Sequence, residues 1–110
     1  MKVSEIISKL NLEILNVSDG EKAVCGVYAG DLLSWVMGRL NFGDVWITIM
    51  NNVNVIAVAS LADASCVILS ENSEIDKEVI EKAKENGINL LRTAKTTFEI
   101  SCMLGSILND

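Results

Sequence analysis

The stretch Gly43-Asp-Val-Trp-Ile-Thr-Ile-Met-Asn-Asn-Val-Asn-Val-Ile-Ala-Val-Ala-Ser60 decides the fold. Residues 45–50 are apolar on both faces apart from Thr48, which predicts a central strand covered by helices on both sides. The asparagine-rich segment 51–54 predicts a turn. A helix dominated by small residues is expected to follow at about 55–63. Strand followed by helix in this way predicts an α/β protein.

The same alternation continues toward the C-terminus. Residues 66–69 predict a buried strand, and the spacing of Ser73 and Asp76 predicts a capping box that opens a helix over 74–86. Gly87 ends that helix, and residues 88–91 predict a short last strand. Thr96 and Glu99 have the spacing of a capping box for a final helix.

The N-terminal part is expected to supply one helix over 4–10, capped by Ser4, and two strands at 12–17 and 22–27. A helix beginning at Gly30-Asp31 and ending near residue 40 should precede the central strand. The pattern predicts one compact α/β domain with a five-stranded sheet flanked by helices. The sheet is expected to be mainly parallel, or mixed if the first two strands form a hairpin.

Composition narrows the classes of function. Nine basic and fifteen acidic residues give a net charge of −6, and no Lys/Arg cluster is present, which argues against nucleic-acid binding. The chain has no histidine, the usual general base and the commonest zinc ligand. The three cysteines, Cys25, Cys66 and Cys102, lack metal-site spacing and are expected to be buried, reduced thiols of a cytoplasmic protein. No segment predicts a membrane span, and no metal or cofactor is expected.

Polar residues gather at three junctions between a strand and the next helix, at 28–34, 48–54 and 92–97. Ligands of open α/β sheets bind beyond the carboxyl ends of the strands, and helix N-termini favour anions. Arg92 or Lys95 could meet a phosphate or carboxylate there. The alternative is that Asp31, Asn54 and Thr96 only cap their helices. The candidate ligand-binding residues are Asp31, Ser34, Thr48, Asn51, Asn52, Asn54 and Arg92.

Three segments together resemble the DRTGG domain family: residues 21–34, 43–49 and 54–60, with 81–88 and 93–98 similar to its C-terminal half. The resemblance covers most of the chain. It implies a small α/β module similar to the N-terminal domains of HPr kinase/phosphorylases and Mur ligases. Such domains occur alone, on phosphotransacetylases and between CBS domains of some inorganic pyrophosphatases, where the resemblance implies regulation or dimerisation.

The chain departs from the family pattern at its name-giving motif. Glu21-Lys22 stands where the pattern has Asp-Arg, and Gly26-Val27 stands where it has Gly-Gly. Valine disfavours a positive φ, so a backbone conformation that needs one is not expected at Val27. The phosphate loop that a kinase requires is also missing from the sequence, so the resemblance implies no kinase activity.

The sequence therefore predicts a non-catalytic regulatory module that forms a homodimer and senses a small anionic metabolite or a nucleotide. A second hypothesis is an interaction subunit that docks on a larger metabolic enzyme and has no ligand of its own. A third is a small enzyme that uses Asp31 with Asp44, or a reactive Cys25. Trp35 and Met37, with the helix that carries Met103, are the expected dimer contacts, whereas Trp46 is expected in the core.

Overall fold

A computed structural model describes residues 1–109. It contains five helices and one five-stranded sheet within those residues. In chain order the elements are α1 (Val3–Leu10), β1 (Glu13–Asn16), β2 (Gly26–Ala29), α2 (Leu33–Val36), β3 (Asp44–Thr48), α3 (Val53–Ala62), β4 (Cys66–Leu69), α4 (Lys77–Glu85), β5 (Leu90–Arg92) and α5 (Thr97–Leu108). The predicted α/β class, with helices flanking a five-stranded sheet, is confirmed.

The sheet is mixed. Its strand order is β1-β5-β4-β3-β2, with β2 to β5 parallel and β1 antiparallel to β5. The first two strands therefore lie at opposite edges, and the predicted alternative of a hairpin between them is wrong. The segment between them pairs with the N-terminus instead, since the N–H groups of Val3 and Ser4 donate to the carbonyl oxygens of Lys22 and Gly20 at 3.0 and 2.9 Å.

Alternate residues of the buried strands face two separate apolar layers. Trp46, Val67 and Leu90 face one layer, which contains the buried side chains of α2, α3 and α4. Ile47 and Ile68 face the other, which contains those of α1 and α5. This arrangement explains why the central strands read as continuous apolar runs, because both of their faces are covered.

The helices change sides of the sheet between β4 and β5. The helices that follow β2, β3 and β4 pack in the first layer, whereas α5, which follows β5, packs in the second. Adjacent parallel strands whose following segments leave toward opposite faces create a crevice at their carboxyl ends. The fold therefore has its topological switch point between β4 and β5.

Several local predictions need correction. The helix expected from Asp31 to residue 40 is α-helical only over Leu33–Val36, and its N-cap is Leu32. Asn52, not Asn54, caps α3 by accepting the N–H of Asn54. The capping box at Ser73 does not form, since α4 begins after Asp76. The capping box of Thr96 and Glu99 at the start of α5 is present as predicted.

The cysteines differ from one another more than the sequence suggested. Cys66 is buried in β4, and burial raises the pKa of its thiol to about 12. Cys25 and Cys102 are exposed, so the prediction that all three thiols are buried is wrong for these two. Trp46 is fully buried as predicted, and its indole N–H donates to the Gly30 carbonyl oxygen at 2.9 Å.

Candidate functional site

The carboxyl edge of the sheet carries a chain of polar contacts that begins after β2. The Asp31 carboxylate accepts hydrogen bonds from the Thr48 hydroxyl and from the Ile49 N–H, both at 2.9 Å. The Thr48 oxygen in turn accepts the Met50 N–H at 3.1 Å. Asp31 therefore holds the backbone that follows β3 in place. It does not cap α2, whose N-cap is Leu32.

The contacts continue across the remaining strands. The Ser73 hydroxyl, after β4, donates to the Ile49 carbonyl oxygen at 3.0 Å, and the Ser73 carbonyl oxygen accepts from Arg92 Nη1 at 3.2 Å. The Arg92 guanidinium also binds both carboxylate oxygens of Glu13 on β1, at 3.0 and 2.8 Å. Side chains thus link all five strands at one edge of the sheet.

Three of the five N–H groups of the Arg92 guanidinium are used by these contacts. Its hydrogen bonds to Glu13 lower the pKa of that carboxyl group, and the same pair raises the pKa of Arg92. A planar guanidinium binds a carboxylate best through two parallel hydrogen bonds, and here Glu13 already accepts both of them. Arg92 therefore joins β5 to β1, and this two-point contact is not available to a ligand.

The other predicted site residues lie at the same edge but have different roles. The Asn51 amide donates to the Glu74 carbonyl oxygen, and Asn52 caps α3. Ser34 and Asn54 are exposed near the starts of α2 and α3, and within residues 1–109 neither side chain has a hydrogen-bond partner. Five of the seven predicted side chains are therefore engaged in hydrogen bonds within the protein, namely Asp31, Thr48, Asn51, Asn52 and Arg92. Those of Ser34 and Asn54 are not engaged within residues 1–109.

A cleft of about 450 Å³ opens beside this edge, at the switch point. Its walls are formed by the end of α1, Glu13 at the start of β1, Asn72 after β4, the loop after β5 and Met103 of α5. Lys9, Asn11, Asn72, Thr93 and Lys95 line it together with Arg92. Of these, the sequence predicted Arg92 as a site residue and Lys95 as a possible anion contact. Lys9, Asn11 and Asn72 were not predicted, because the position of the switch point depends on which face each helix covers.

The loops on either side of the cleft are fixed to each other. Glu71 and Asn72 both have positive φ, at 62° and 52°, which non-glycine residues adopt at a cost. This conformation directs their N–H groups to the carbonyl oxygens of Lys95 and Thr93, at 2.8 and 2.9 Å. Ser70 and Thr97 add a hydroxyl–hydroxyl contact at 2.7 Å. The cleft is therefore preformed.

A second cleft, of about 510 Å³, lies between the start of β2 and the end of α5. It is lined by Met1, Val24, Cys25, Val27 and Leu108 among others, and within residues 1–109 it has no charged side chain. It lies away from the carboxyl ends of the strands, where α/β sheets bind their ligands. The smaller, charged cleft is the better candidate for a site.

The carboxylates of the enzyme hypothesis do not meet. Asp44 opens β3 and Asp31 contacts Thr48 at its other end, so about 13 Å of strand separates the two positions. Asp44 is buried and accepts the N–H of Asn41 at 2.9 Å.

Among residues 1–109, no three His, Cys, Asp or Glu side chains are grouped as metal ligands would be. The same residues include no helix that is both long and apolar enough to span a membrane.

Comparison with protein families gives a match to the DRTGG domain over residues 5–107. The chain belongs to the DRTGG domain family. No curated protein sequence gives a significant match. A search of solved structures matches a crystal structure of the CBS and DRTGG domains of the regulatory region of Clostridium perfringens pyrophosphatase, complexed with its activator diadenosine tetraphosphate.

The match to this structure has a TM-score of 0.71 at 22% sequence identity. It covers 90% of the present chain but 44% of the pyrophosphatase regulatory chain, so this chain spans less than half of its neighbour's length. At this identity the likeness supports the DRTGG fold alone.

The departure from the DRTGG motif has a simple structural outcome. Val27 lies within β2 opposite Val45, where an extended backbone suits valine. Gly26 is retained for a packing reason, because a Cβ at this position would lie 2.8 Å from the Asp44 carboxylate. The backbone at Val27 therefore needs no glycine, whereas a side chain at Gly26 would require the Asp44 carboxylate to shift.

Proposed function

We propose that this DRTGG domain is a non-catalytic regulatory module that binds a small anionic metabolite or a nucleotide at the carboxyl edge of its sheet. The observation that supports this most directly is the preformed polar cleft at the switch point between β4 and β5. The pyrophosphatase regulatory region of the same fold, which carries CBS domains as well, is complexed with a nucleotide activator. The candidate residues from Asp31 to Asn54, with Arg92, lie along the same edge.

The arrangement of reactive groups favours regulation over catalysis. Asp31 and Asp44 are held at opposite ends of β3, and Asp31 uses its carboxylate to position the loop after that strand. Cys25, the cysteine of the enzyme hypothesis, directly precedes β2 and lines the second cleft, away from the carboxyl ends of the strands. The domain can bind a ligand at this edge without a group placed to attack it.

A thermal-shift panel tests the proposal. A ligand that binds only the folded state raises the Tm by an amount that grows with its concentration above Kd. We expect at least one compound among adenine nucleotides, acyl-CoAs, NAD(H) and phosphorylated sugars to raise the Tm by several degrees at millimolar concentration. If no compound changes the Tm, the ligand-sensing function is wrong and docking on a larger enzyme becomes the favoured function.

We also propose that the domain forms a homodimer through its β2 edge. β2 has a neighbour on one side only, and its sequence Gly-Val-Tyr-Ala contains no charged residue or proline to protect the open side. The segment that follows exposes Leu32, Trp35, Met37 and Phe42, which are 54–69% accessible. Exposed apolar side chains concentrated in this way are typical of a protein interface.

Trp35 offers a direct test of the dimer. Its ring is held in place by Arg39, whose guanidinium carbon lies 3.4 Å from the ring centroid, so the exposed indole is preorganised for contact. We expect light scattering to give twice the monomer mass at tens of micromolar, and Trp35→Glu to give the monomer. Ile14→Glu places the same charge on an apolar residue that is 57% exposed on β1, at the opposite edge of the sheet, and should leave the dimer intact. A monomeric wild type, or equal behaviour of the two variants, would contradict this interface.

A second candidate function is docking on a larger metabolic enzyme without a ligand. The support for it is that the neighbouring DRTGG domain is part of an enzyme's regulatory region. The β2 edge would then contact the enzyme instead of a second copy. Monomeric behaviour combined with an unresponsive thermal-shift panel would favour this function.

A further inference from the structure

We infer that the cleft at the switch point binds a phosphate monoester, with Lys9 and Lys95 as the residues that contact the phosphate group. This inference rests on the proposed ligand-sensing function and specifies its site and ligand class. Neither ammonium group takes part in the hydrogen bonds and salt bridges of the residues that the structure describes.

The cleft has the size and position of a ligand site. Its volume of about 450 Å³ is within the range of small-molecule pockets, roughly 300–1,000 Å³. It lies outside the carboxyl ends of β4 and β5, whose following segments leave toward opposite faces of the sheet. Hydrogen bonds from Glu71 and Asn72 to the loop after β5 keep it open without a ligand.

The charges around the cleft leave two cations available. Lys9 and Lys95 line it, and within residues 1–109 neither ammonium group forms a salt bridge. The third cation, Arg92, is neutralised by Glu13. Outside the lining, Lys95 also lies within electrostatic reach of the Glu99 carboxylate. The lining holds three cations and one carboxylate, Glu13, so the cleft is locally positive although the domain has a net charge of −6. Anions are attracted to such a local positive potential.

Of the carboxylates near the cleft, Glu13 in the lining binds Arg92, whereas Glu71 and Glu99 are directed to the start of α5. Glu99 accepts the N–H of Thr96 at 2.9 Å, and the Glu71 carboxylate accepts the N–H of Thr97 at 3.5 Å. The free N–H groups of this helix are therefore supplied with protein carboxylates, and the helix N-terminus is not the anion site. The lysine side chains and the amides of Asn11 and Asn72 remain as donors to a ligand.

The kind of cation selects a phosphate over a carboxylate. A guanidinium binds a carboxylate through two parallel hydrogen bonds, and here Glu13 occupies that position on Arg92. Lysines act as point charges, and two of them suit the two negative charges of a phosphate monoester. Leu10 and Met103 provide apolar contact for the remainder of the ligand, and no aromatic ring lines the described cleft to stack on a base. A compact sugar phosphate fits this lining better than a nucleotide.

A titration followed by amide signals in ¹H–¹⁵N NMR tests the site in the intact domain. Inorganic phosphate and ribose 5-phosphate are added at constant ionic strength, with ribose as the uncharged control. We expect saturable shifts at Asn72, Thr93 and Lys95 with both phosphates and none with ribose. In the double variant Lys9→Gln/Lys95→Gln the affinity should fall about a hundredfold, since each of the two lost charge-assisted hydrogen bonds contributes about tenfold.

The matched control is Lys82→Gln/Lys84→Gln on α4, which makes the same change in net charge at the opposite face of the sheet. It should change the affinity by less than about threefold, as expected for screened long-range charge. Equal losses in the two double variants would overturn the inference, and so would shifts confined to Ser34 and Asn54. If a panel compound raises the Tm of the Lys9/Lys95 variant as much as that of the wild type, ligand sensing stands and this cleft is wrong. If neither the panel nor phosphate has an effect, both proposals fail.

Discussion

Replacing Gly43 with alanine is expected to destabilise the domain by about 2–4 kcal/mol, which lowers the Tm by about 10 °C or more. Gly43 has a φ of +77°, where an L-residue is strained. A Cβ added there would also lie 2.5 Å from the Cys25 sulfur and 3.0 Å from its Cβ. The strand cannot easily move away, because the Gly43 carbonyl oxygen accepts the Cys25 N–H at 2.9 Å.

Two control variants separate the strain from the clash. Gly87 has a similar φ of +68° but has no atom within 4 Å of an added Cβ, so Gly87→Ala should cost only the backbone term of about 1–2 kcal/mol. In a Cys25→Ala background the cost of Gly43→Ala should fall, since the closest contact is gone. Urea denaturation of the wild type, the three single variants and the Cys25→Ala/Gly43→Ala double variant measures these differences. Equal costs at Gly43 and Gly87 would show that the contact with Cys25 is relaxed without penalty.

Replacing Asn89 with alanine is expected to cost about 2–4 kcal/mol, because it leaves several polar groups without partners. Asn89 is only 1% exposed, and its amide makes four hydrogen bonds. The oxygen accepts the N–H groups of Ser18 and Asp19, at 2.8 and 3.0 Å. The nitrogen donates to the carbonyl oxygens of Asp19 and Ser65, at 2.8 and 3.0 Å. One side chain thus holds the loop after β1 against the start of β4.

Asn89→Asp distinguishes lost hydrogen bonds from lost volume. It preserves the shape and the two accepted bonds, but it places a buried negative charge against two carbonyl oxygens, so it should cost at least as much as alanine at pH 7. Asn86→Ala is the matched control, since the Asn86 side chain is exposed and donates only to the Lys82 carbonyl oxygen, and it should cost less than about 0.5 kcal/mol. A cost for Asn89→Asp well below that of Asn89→Ala would indicate that the cavity, not the hydrogen bonding, dominates.

Much of the fold follows from local patterns. β3 and β4 were expected from continuous apolar runs, and both are buried along their whole length. The capping box at Thr96 and Glu99 marks the start of α5 at the expected residue. These features can be predicted because burial on both faces and capping depend on residues within a few positions of each other. The length of α2 was overestimated, because the helical spacing of apolar residues over 32–40 continues after the α-helix ends at Val36.

The candidate site was predictable only in part. The carboxyl ends of the strands follow from the α/β pattern, and the residues expected there do lie at that edge. The role of each side chain was not predictable, because the contacts join residues that are far apart in the chain. Arg92 forms its salt bridge with Glu13, 79 positions away, and Asp31 accepts the hydrogen bond of Thr48, 17 positions away. Lys9 and Asn72 gave no signal in the sequence, since a lysine at a helix end and an asparagine in a turn are ordinary features.

The sequence by itself determined the α/β class, the buried central strands and the DRTGG family, because all three depend on residues that are close together in the chain. Only the tertiary structure decided that β1 pairs with β5 and that the helices change faces between β4 and β5. These choices depend on contacts between distant segments, such as the pairing of residues 1–4 with the loop before β2. The same long-range contacts place Lys9 and Lys95 in one cleft, which no local pattern of residues could reveal.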